Sequence, residues 1–244
     1  MATPFGMATS FGAMITPFRL PLAPPLDMDI TPKLILSVVG AAVWDRACVP
    51  PSRPSRPDQT RASERQLSLH EKVMALPVLP YWVRFAHWAF VATEAAALWE
   101  GRPQTFTLYS AAGTGLIILG ASIRIRCFRE LGRHFTLAMT LRDDHSLVTT
   151  GPYGVVRHPA YTGGLLQLLG ALIANLGPGS WFANGGSATL WGKFLAVNLG
   201  VCAAVFGYAC TRGAKEDRYL AKTFGETWER FAKNVPYRYI PGVC

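Results

Sequence analysis

The sequence predicts an all-α integral membrane protein of about five transmembrane helices, with a ligand site on the cytosolic side formed by its C-terminal half. Three observations predict it. Half of the 244 residues are hydrophobic and only 16% are charged, fewer than a soluble domain carries. The apolar residues gather in five runs approaching the roughly 17–25 residues that a bilayer-spanning helix needs. Links rich and poor in Lys and Arg alternate along the chain, as the positive-inside rule asks of a five-span protein.

The elements follow in order. Residues 1–32, rich in Met, Thr, Pro and Phe, lack both the basic amphipathic pattern of a transit peptide and the basic start of a secretory signal, and read as a poorly ordered leader. Residues 33–123 hold the N-terminal spans. The first, Lys33–Val49, is marginal. A polar Pro/Ser/Arg linker follows over residues 50–72, with Arg53, Arg56, Arg61, Arg65 and Lys72. The second run, Leu79–Trp99, contains Arg84, His87 and Glu94, which at 100° per residue fall within about 80° of one another on a helix. Arg84 reads as a side chain reaching the cytosolic interface, and Glu94 is left open. The third run is Thr107–Ile123, and the region 124–244 adds two more, Ala160–Leu176 and Ala188–Cys210. The third and fifth have almost no polar face.

The link between the second and third runs holds only Arg102, and "GPGSWFANGGS" (177–187) holds no Lys or Arg. In contrast, Arg124, Arg126, Arg129, Arg133 and Arg142 crowd the link after the third, and seven basic residues follow Cys210. This places the carboxyl tail in the cytosol and the amino end in the lumen. The net charge of +9 then reads as cytosolic loops facing anionic lipid, and no nucleic-acid partner is expected because no basic helix with interleaved aromatics lies outside the spans. The five cysteines are scattered without metal-type pairing, so no metal is expected. Tyr219, Leu220, Phe224, Trp228 and Phe231 share one side of a tail helix over 214–233, an amphipathic element that lies on the membrane, covers the site, or simply packs.

"GPYGVVRHPAYTGG" (151–164) stands just before the fourth run. Gly151-Pro152 marks a turn. His158-Pro159 marks a second break and a helix start, since Pro at the first helical position loses no hydrogen bond. The free N–H groups of such a start suit a carboxylate or phosphate, and Tyr153, His158 and Tyr161 offer polar-tipped walls. These residues describe a small-ligand site at the membrane face without naming the ligand.

"HSLVTTGPYGVVRHPAYTGG" (145–164) resembles the signature of the isoprenylcysteine carboxyl methyltransferase family, integral membrane enzymes of the endoplasmic reticulum. "RELGRHFTLAM" (129–139) and the tail "RGAKEDRYLAKTFGETWERFAKNVPYRYIP" (212–241) are also similar to that family, so the resemblance covers the chain from Arg124 onward. It implies multi-pass membership of that membrane with the C-terminus cytosolic. It also implies a cofactor, S-adenosyl-L-methionine, bound at the cytosolic face, and a prenylated C-terminal cysteine of client proteins as substrate, reached from the lipid. By position, the resemblance assigns cofactor contacts to His145, Ser146, Leu147, Val148, Tyr153, His158, Pro159, Ala160, Tyr161 and Glu216. Arg212 resembles the arginine that meets the substrate. The second tail acid, usually Glu in the family, is Asp217 here.

The chemistry of that pair follows from spacing. Arg212 and Glu216 are four apart on a helix and share a face. A carboxylate acceptor is ionised at neutral pH, so its methylation needs alignment and exclusion of water, not a general base. Two other readings compete. A lipid-amine N-methyltransferase would need a base, for which Glu94 and His87 are the intramembrane candidates. A non-catalytic membrane homologue would keep the fold alone.

Overall fold

The computed structural model describes residues 31–49, 60–61, 78–132, 141–142 and 146–243. The leader up to residue 30, most of the polar linker and His145 lie outside the described residues. Among the described residues the elements are helices joined by turns and loops, with one two-residue antiparallel pairing, β1 (Thr60–Arg61) with β2 (Leu141–Arg142).

Each apolar run is a helix. They are α1 (Thr31–Cys48), α2 (Val78–Trp99), α3 (Leu108–Leu131), α4 (Pro159–Leu176) and α5 (Leu190–Phe224), followed by a short α6 (Glu226–Asn234). Two outlast their apolar stretches: α3 continues past Ile123 to Leu131, and α5 past Cys210 to Phe224. The reason is that Arg, Lys and Glu are good helix formers, and nothing breaks either helix before a glycine with positive φ does, Gly132 at φ 49° and Gly225 at φ 51°. Thr107 and Thr189 start α3 and α5, each hydroxyl accepting from the backbone N–H three residues on. The α3 and α5 helices are long and apolar enough to cross a membrane, each holding an 18-residue stretch whose mean hydropathy is 1.4 and 1.8 respectively.

The five long helices run antiparallel in chain order, as their end contacts show. At one end, Lys33 at the start of α1 meets Glu94 near the end of α2, Gln104 before α3 and the carbonyl of Gly179 after α4. At the other end, Arg124 near the end of α3 donates to the carbonyls of Ala47 at the end of α1 and Ala160 at the start of α4, both at 3.0 Å. The interior between them is packed by Trp44, Phe90, Ile117, Leu168, Leu195 and Leu199.

The α3 and α4 helices touch through glycine. A Cβ on Gly120 would collide with the carbonyl of Gly163, and one on Gly163 with the carbonyl of Gly120; Gly113 and Gly170 oppose each other in the same way. Small residues at such a seam let two backbones approach closely, as membrane helix pairs often do. Outside, the helices present large apolar side chains to their surroundings. Ile35, Val38, Leu119, Leu169, Val197 and Val201 are exposed along their lengths, and Tyr81, Trp82, Trp99, Tyr109 and Trp191 lie towards their ends.

The tail does not form a single amphipathic helix over 214–233. Gly225 divides it, its backbone taking a left-handed φ that glycine adopts without penalty. The α6 segment beyond it turns Phe231 inward and brings Trp228 under the Arg157 guanidinium, 5.9 Å from the ring centre. The apolar side of this element therefore packs on the protein.

Candidate active site

The start of α4 is the centre of the site. The 3-10 turn Gly151–Gly154 opens on Gly151 at φ 59°, with Pro152 locking the next residue. Thr150 anchors the turn to α3 by donating to Glu130 at 2.8 Å. Pro159 is the first residue of α4 and fully buried, with His158 as its cap. This is the break and restart that the two prolines predict.

His158 is buried between two carboxylates from α5. Its Nε2 lies 2.8 Å from Asp217 Oδ1, and its Nδ1 lies 3.4 Å from Glu216 Oε2. Glu216 Oε1 accepts from the Tyr161 hydroxyl at 2.7 Å and faces Arg212 Nη2 at 3.4 Å. Asp217 Oδ2 accepts from Arg238 Nε at 2.9 Å and faces Arg157 Nη2 at 3.4 Å. The chain thus returns three times to one place: in the RHP turn, in the outer part of α5, and in the closing segment.

The electrostatics follow from this arrangement. Burial alone would push the His158 imidazole towards its neutral form, but hydrogen bonds and charge from Asp217 and Glu216 outweigh it and raise its pKa. Burial likewise opposes ionisation of both acids, yet contact with His158 holds each below the usual carboxylate range, helped by Tyr161 and Arg212 at Glu216 and by Arg238 and Arg157 at Asp217. Burial pushes the Tyr239 phenol up to about 12, so it stays a donor, and its hydroxyl bonds to the Cys210 carbonyl.

Of the residues singled out in the sequence, the structure brings His158, Tyr161, Arg212 and Glu216 together. Pro159 follows His158 as the buried first residue of α4. The Ala160 carbonyl is taken by Arg124. Tyr153 is buried with its hydroxyl turned to the Cys127 thiol of α3, and burial raises its pKa. Ser146, Leu147 and Val148 run as an irregular segment towards the turn, Ser146 exposed and the other two half-buried. His145 lies outside the described residues.

Sequence reasoning missed Arg157, Arg238 and Tyr239 as members of this cluster and gave Asp217 no contact. All four stood in the quoted motifs, but nothing in their spacing shows that residues 237–239 return to the RHP turn. Arg212 is also not the surface partner that an i,i+4 pair usually is: its side chain is only 15% exposed.

The remaining acid and base candidates lie elsewhere. Glu94 is held by Lys33, and its Oε1 accepts from Trp181 N at 2.7 Å, just past the far end of α4. The α4 axis rises about 27 Å between the two ends. His87 stacks on Trp44 at 4.6 Å beside a small internal cavity that also touches Ala171 and Asn175. From Pro159 to Ala171 the helix rises about 18 Å. Arg84 pairs with Asp45 at 2.6 Å in a half-exposed contact.

Among the described residues, two donors at the site's edge, Arg157 Nε and Trp228 Nε1, are buried without an acceptor. Such orphan donors fit an anionic group of a ligand. No group of three or more metal-ligating side chains occurs among the described residues.

Comparison with known proteins matches this region. Residues 108–227 fit the family model described as phospholipid methyltransferase. The chain is 29% identical over 133 residues to protein-S-isoprenylcysteine O-methyltransferase of Schizosaccharomyces pombe, covering 54% of this chain and 49% of the relative. It is 30% identical over 126 residues to protein-S-isoprenylcysteine O-methyltransferase B of Arabidopsis thaliana, covering 51% and 55%. It is 28% identical over 142 residues to the Dictyostelium discoideum protein of the same name, covering 57% and 52%. The chain therefore spans about half the length of these relatives, and the resemblance to the isoprenylcysteine carboxyl methyltransferase family holds over that span.

Proposed function

We propose that this chain, a relative of protein-S-isoprenylcysteine O-methyltransferases, methylates the C-terminal carboxylate of prenylated cysteine with S-adenosyl-L-methionine as donor. The observation that carries the reading is the convergence of His158, Tyr161, Arg212 and Glu216 at one end of an apolar helical bundle. The residues present fit the cofactor. Glu216 keeps acceptor capacity on Oε2 for a cationic or hydroxyl-bearing group, and the orphan donors of Arg157 and Trp228 suit a carboxylate. When bound, S-adenosyl-L-methionine supplies an activated methyl group.

The protein's part is to align the acceptor and keep the site dry. Arg212 holds the acceptor carboxylate with its planar pair of donors, and Glu216 beside it keeps the guanidinium in one orientation. Such a grip must not quench the nucleophile, because only contacts stronger in the transition state speed the reaction. The rings of Tyr161 and Tyr239 flank His158. In this reading Ser146–Val148, Tyr153 and Pro159–Tyr161 line the cofactor. The five helices span the endoplasmic reticulum membrane with the site in the cytosol. The exposed apolar faces support a membrane setting for these helices, as do the aromatic side chains towards the helix ends, where membrane proteins place them.

The amine reading is weaker, because both of its base candidates are distant from the cluster and Glu94 is already paired. The deciding experiment supplies labelled S-adenosyl-L-methionine with a farnesylcysteine analogue and, separately, with phosphatidylethanolamine. Label should enter the first and not the second; transfer to the amine alone would overturn the reading. A glycosylation acceptor placed within 177–187 should be modified and one in the tail should not. Modification of the tail would reverse the topology.

A further inference from the structure

The two adjacent acids of α5 have different surroundings. The Glu216 side chain is 24% exposed and its Oε2 has one long contact, 3.4 Å to His158 Nδ1, whereas both oxygens of Asp217 are closely held. Oδ1 holds His158, and Oδ2 holds Arg238 and faces Arg157. Asp217 is only 5% exposed and has no direction left in which to meet a ligand. Its partners come from two other parts of the chain, and they coincide with a backbone junction. Arg157 N donates to Tyr237 O at 3.0 Å and His158 N to Arg238 O at 2.9 Å, while the Thr162 hydroxyl donates to Tyr239 O at 2.7 Å. The closing segment therefore lies across the RHP turn like a strap. Gly213 leaves room for it, since a Cβ there would strike the Tyr239 hydroxyl.

We propose that Asp217 is a positioning residue, which locks the His158 ring through Nε2 and, through Arg238, straps the closing segment over the RHP turn, leaving Glu216 alone to face the cofactor. This rests on the S-adenosyl-L-methionine reading above. A neutral imidazole carries one N–H and satisfies one carboxylate; only the imidazolium donates to both Asp217 and Glu216. The charged and titratable groups around the ring are Glu216 and Asp217, with Arg212 behind Glu216 (all from α5), Tyr161 from α4, Arg157 from the turn, and Arg238 and Tyr239 from the strap. Because the folded pKa of His158 is raised, its share of stability is complete below the ordinary value of about 6.5 and is lost as pH rises through the folded value. Both acids are depressed, so theirs is present above about pH 4 and lost on further acidification.

The test is titration of the full chain in lipid nanodiscs with S-adenosylhomocysteine, from about pH 5.5 to about 8.5, a range that brackets the ordinary histidine value. Wild-type affinity should fall as pH rises. Asp217→Asn gives a neutral His158 an amide donor at Nε2, so binding should lose its pH dependence and weaken about tenfold at the acid end, the size of one lost charged hydrogen bond. Asp217→Glu should restore the wild-type pH profile. Arg238→Gln removes the strap and spares the ring contact, so it should weaken binding without changing the profile, and it keeps the proposal testable if the Asn variant does not fold. A wild-type pH profile in folded Asp217→Asn, or unchanged affinity in Arg238→Gln, would overturn the proposal alone. A wild-type chain that does not bind S-adenosylhomocysteine would overturn the cofactor reading with it.

Discussion

The two ends of the bundle each surround a glutamate with polar partners, Glu94 buried and Glu216 half-buried, and they use it differently. At the end formed by the loops after α2 and α4, Glu94 accepts from Lys33 and Trp181 N, while Gln104 ties Lys33 to the Glu94 carbonyl. Charge there is matched one to one and every contact is internal. At the other end, Glu216 and Asp217 share His158, Arg157, Arg212 and Arg238, and the set leaves orphan donors and a partly exposed carboxylate whose Oε2 has only one long contact. A saturated cluster fastens helices. An unsaturated one, held rigid by its own surplus of charge, is built for something that arrives later. Polarity inside an apolar bundle does not distinguish these two uses; spare hydrogen-bonding capacity does.

The contrast breaks most sharply at Lys33. Lys33→Met leaves Glu94 buried without its partner and should cost about 3–5 kcal/mol, seen as a lowered unfolding temperature in detergent. S-adenosylhomocysteine affinity of the folded fraction should stay at wild type. A parallel loss of affinity would show that the ends are not independent. At the opposite end, Arg212→Ala should lower carboxyl methylation about a hundredfold through acceptor KM or the chemical step, with cofactor affinity near wild type. Arg212→Lys, which keeps charge but not the planar grip, should fall between. Full activity of the alanine variant on a prenylcysteine analogue would remove Arg212 from the site. Gly120→Ala, in the seam that joins the ends, should destabilise by about 1–3 kcal/mol because the new methyl meets a carbonyl, and differential scanning of the purified chain measures it. The smallest effect is expected for Glu216→Ala. Cofactor affinity should drop about tenfold, as loss of one charged acceptor implies; an unchanged dissociation constant would place the cofactor elsewhere.

What the sequence disclosed follows the range of the interactions. Helix runs, the Pro159 start and the Arg212–Glu216 spacing are local features, fixed by residues within a turn or two of one another. The resemblance then located the site within the chain from Arg124 onward. Illegible were the pairings that only folding creates: Lys33 with Glu94, His158 with Asp217, Arg238 with the RHP turn. Glu94 illustrates the limit. An acid in an apolar run reads equally as a functional group or as half of a clasp, because its partner is carried on another helix with no periodic signal to link the two. The long tail helix failed for a different reason. The side-chain pattern of 214–233 is continuous, but Gly225 takes a backbone angle that the pattern does not encode.

The glycine seam between α3 and α4 has a mechanical consequence. Gly113 faces Gly170 and Gly120 faces Gly163, so the bare positions recur at the same interval on both helices and match in a single alignment. Sliding α4 by one residue along α3 would bring the side chain of Leu169 or Ala171 against the carbonyl of Gly113. The seam therefore acts as a ratchet with one tooth engaged, fixing the height at which Pro159 begins and, with it, the level of His158 above the helices. Displacement chemistry loses rate steeply when reacting atoms are misplaced by about an ångström. Tolerance at the tip of the bundle is in this sense machined into its middle, by four residues with no side chain to offer.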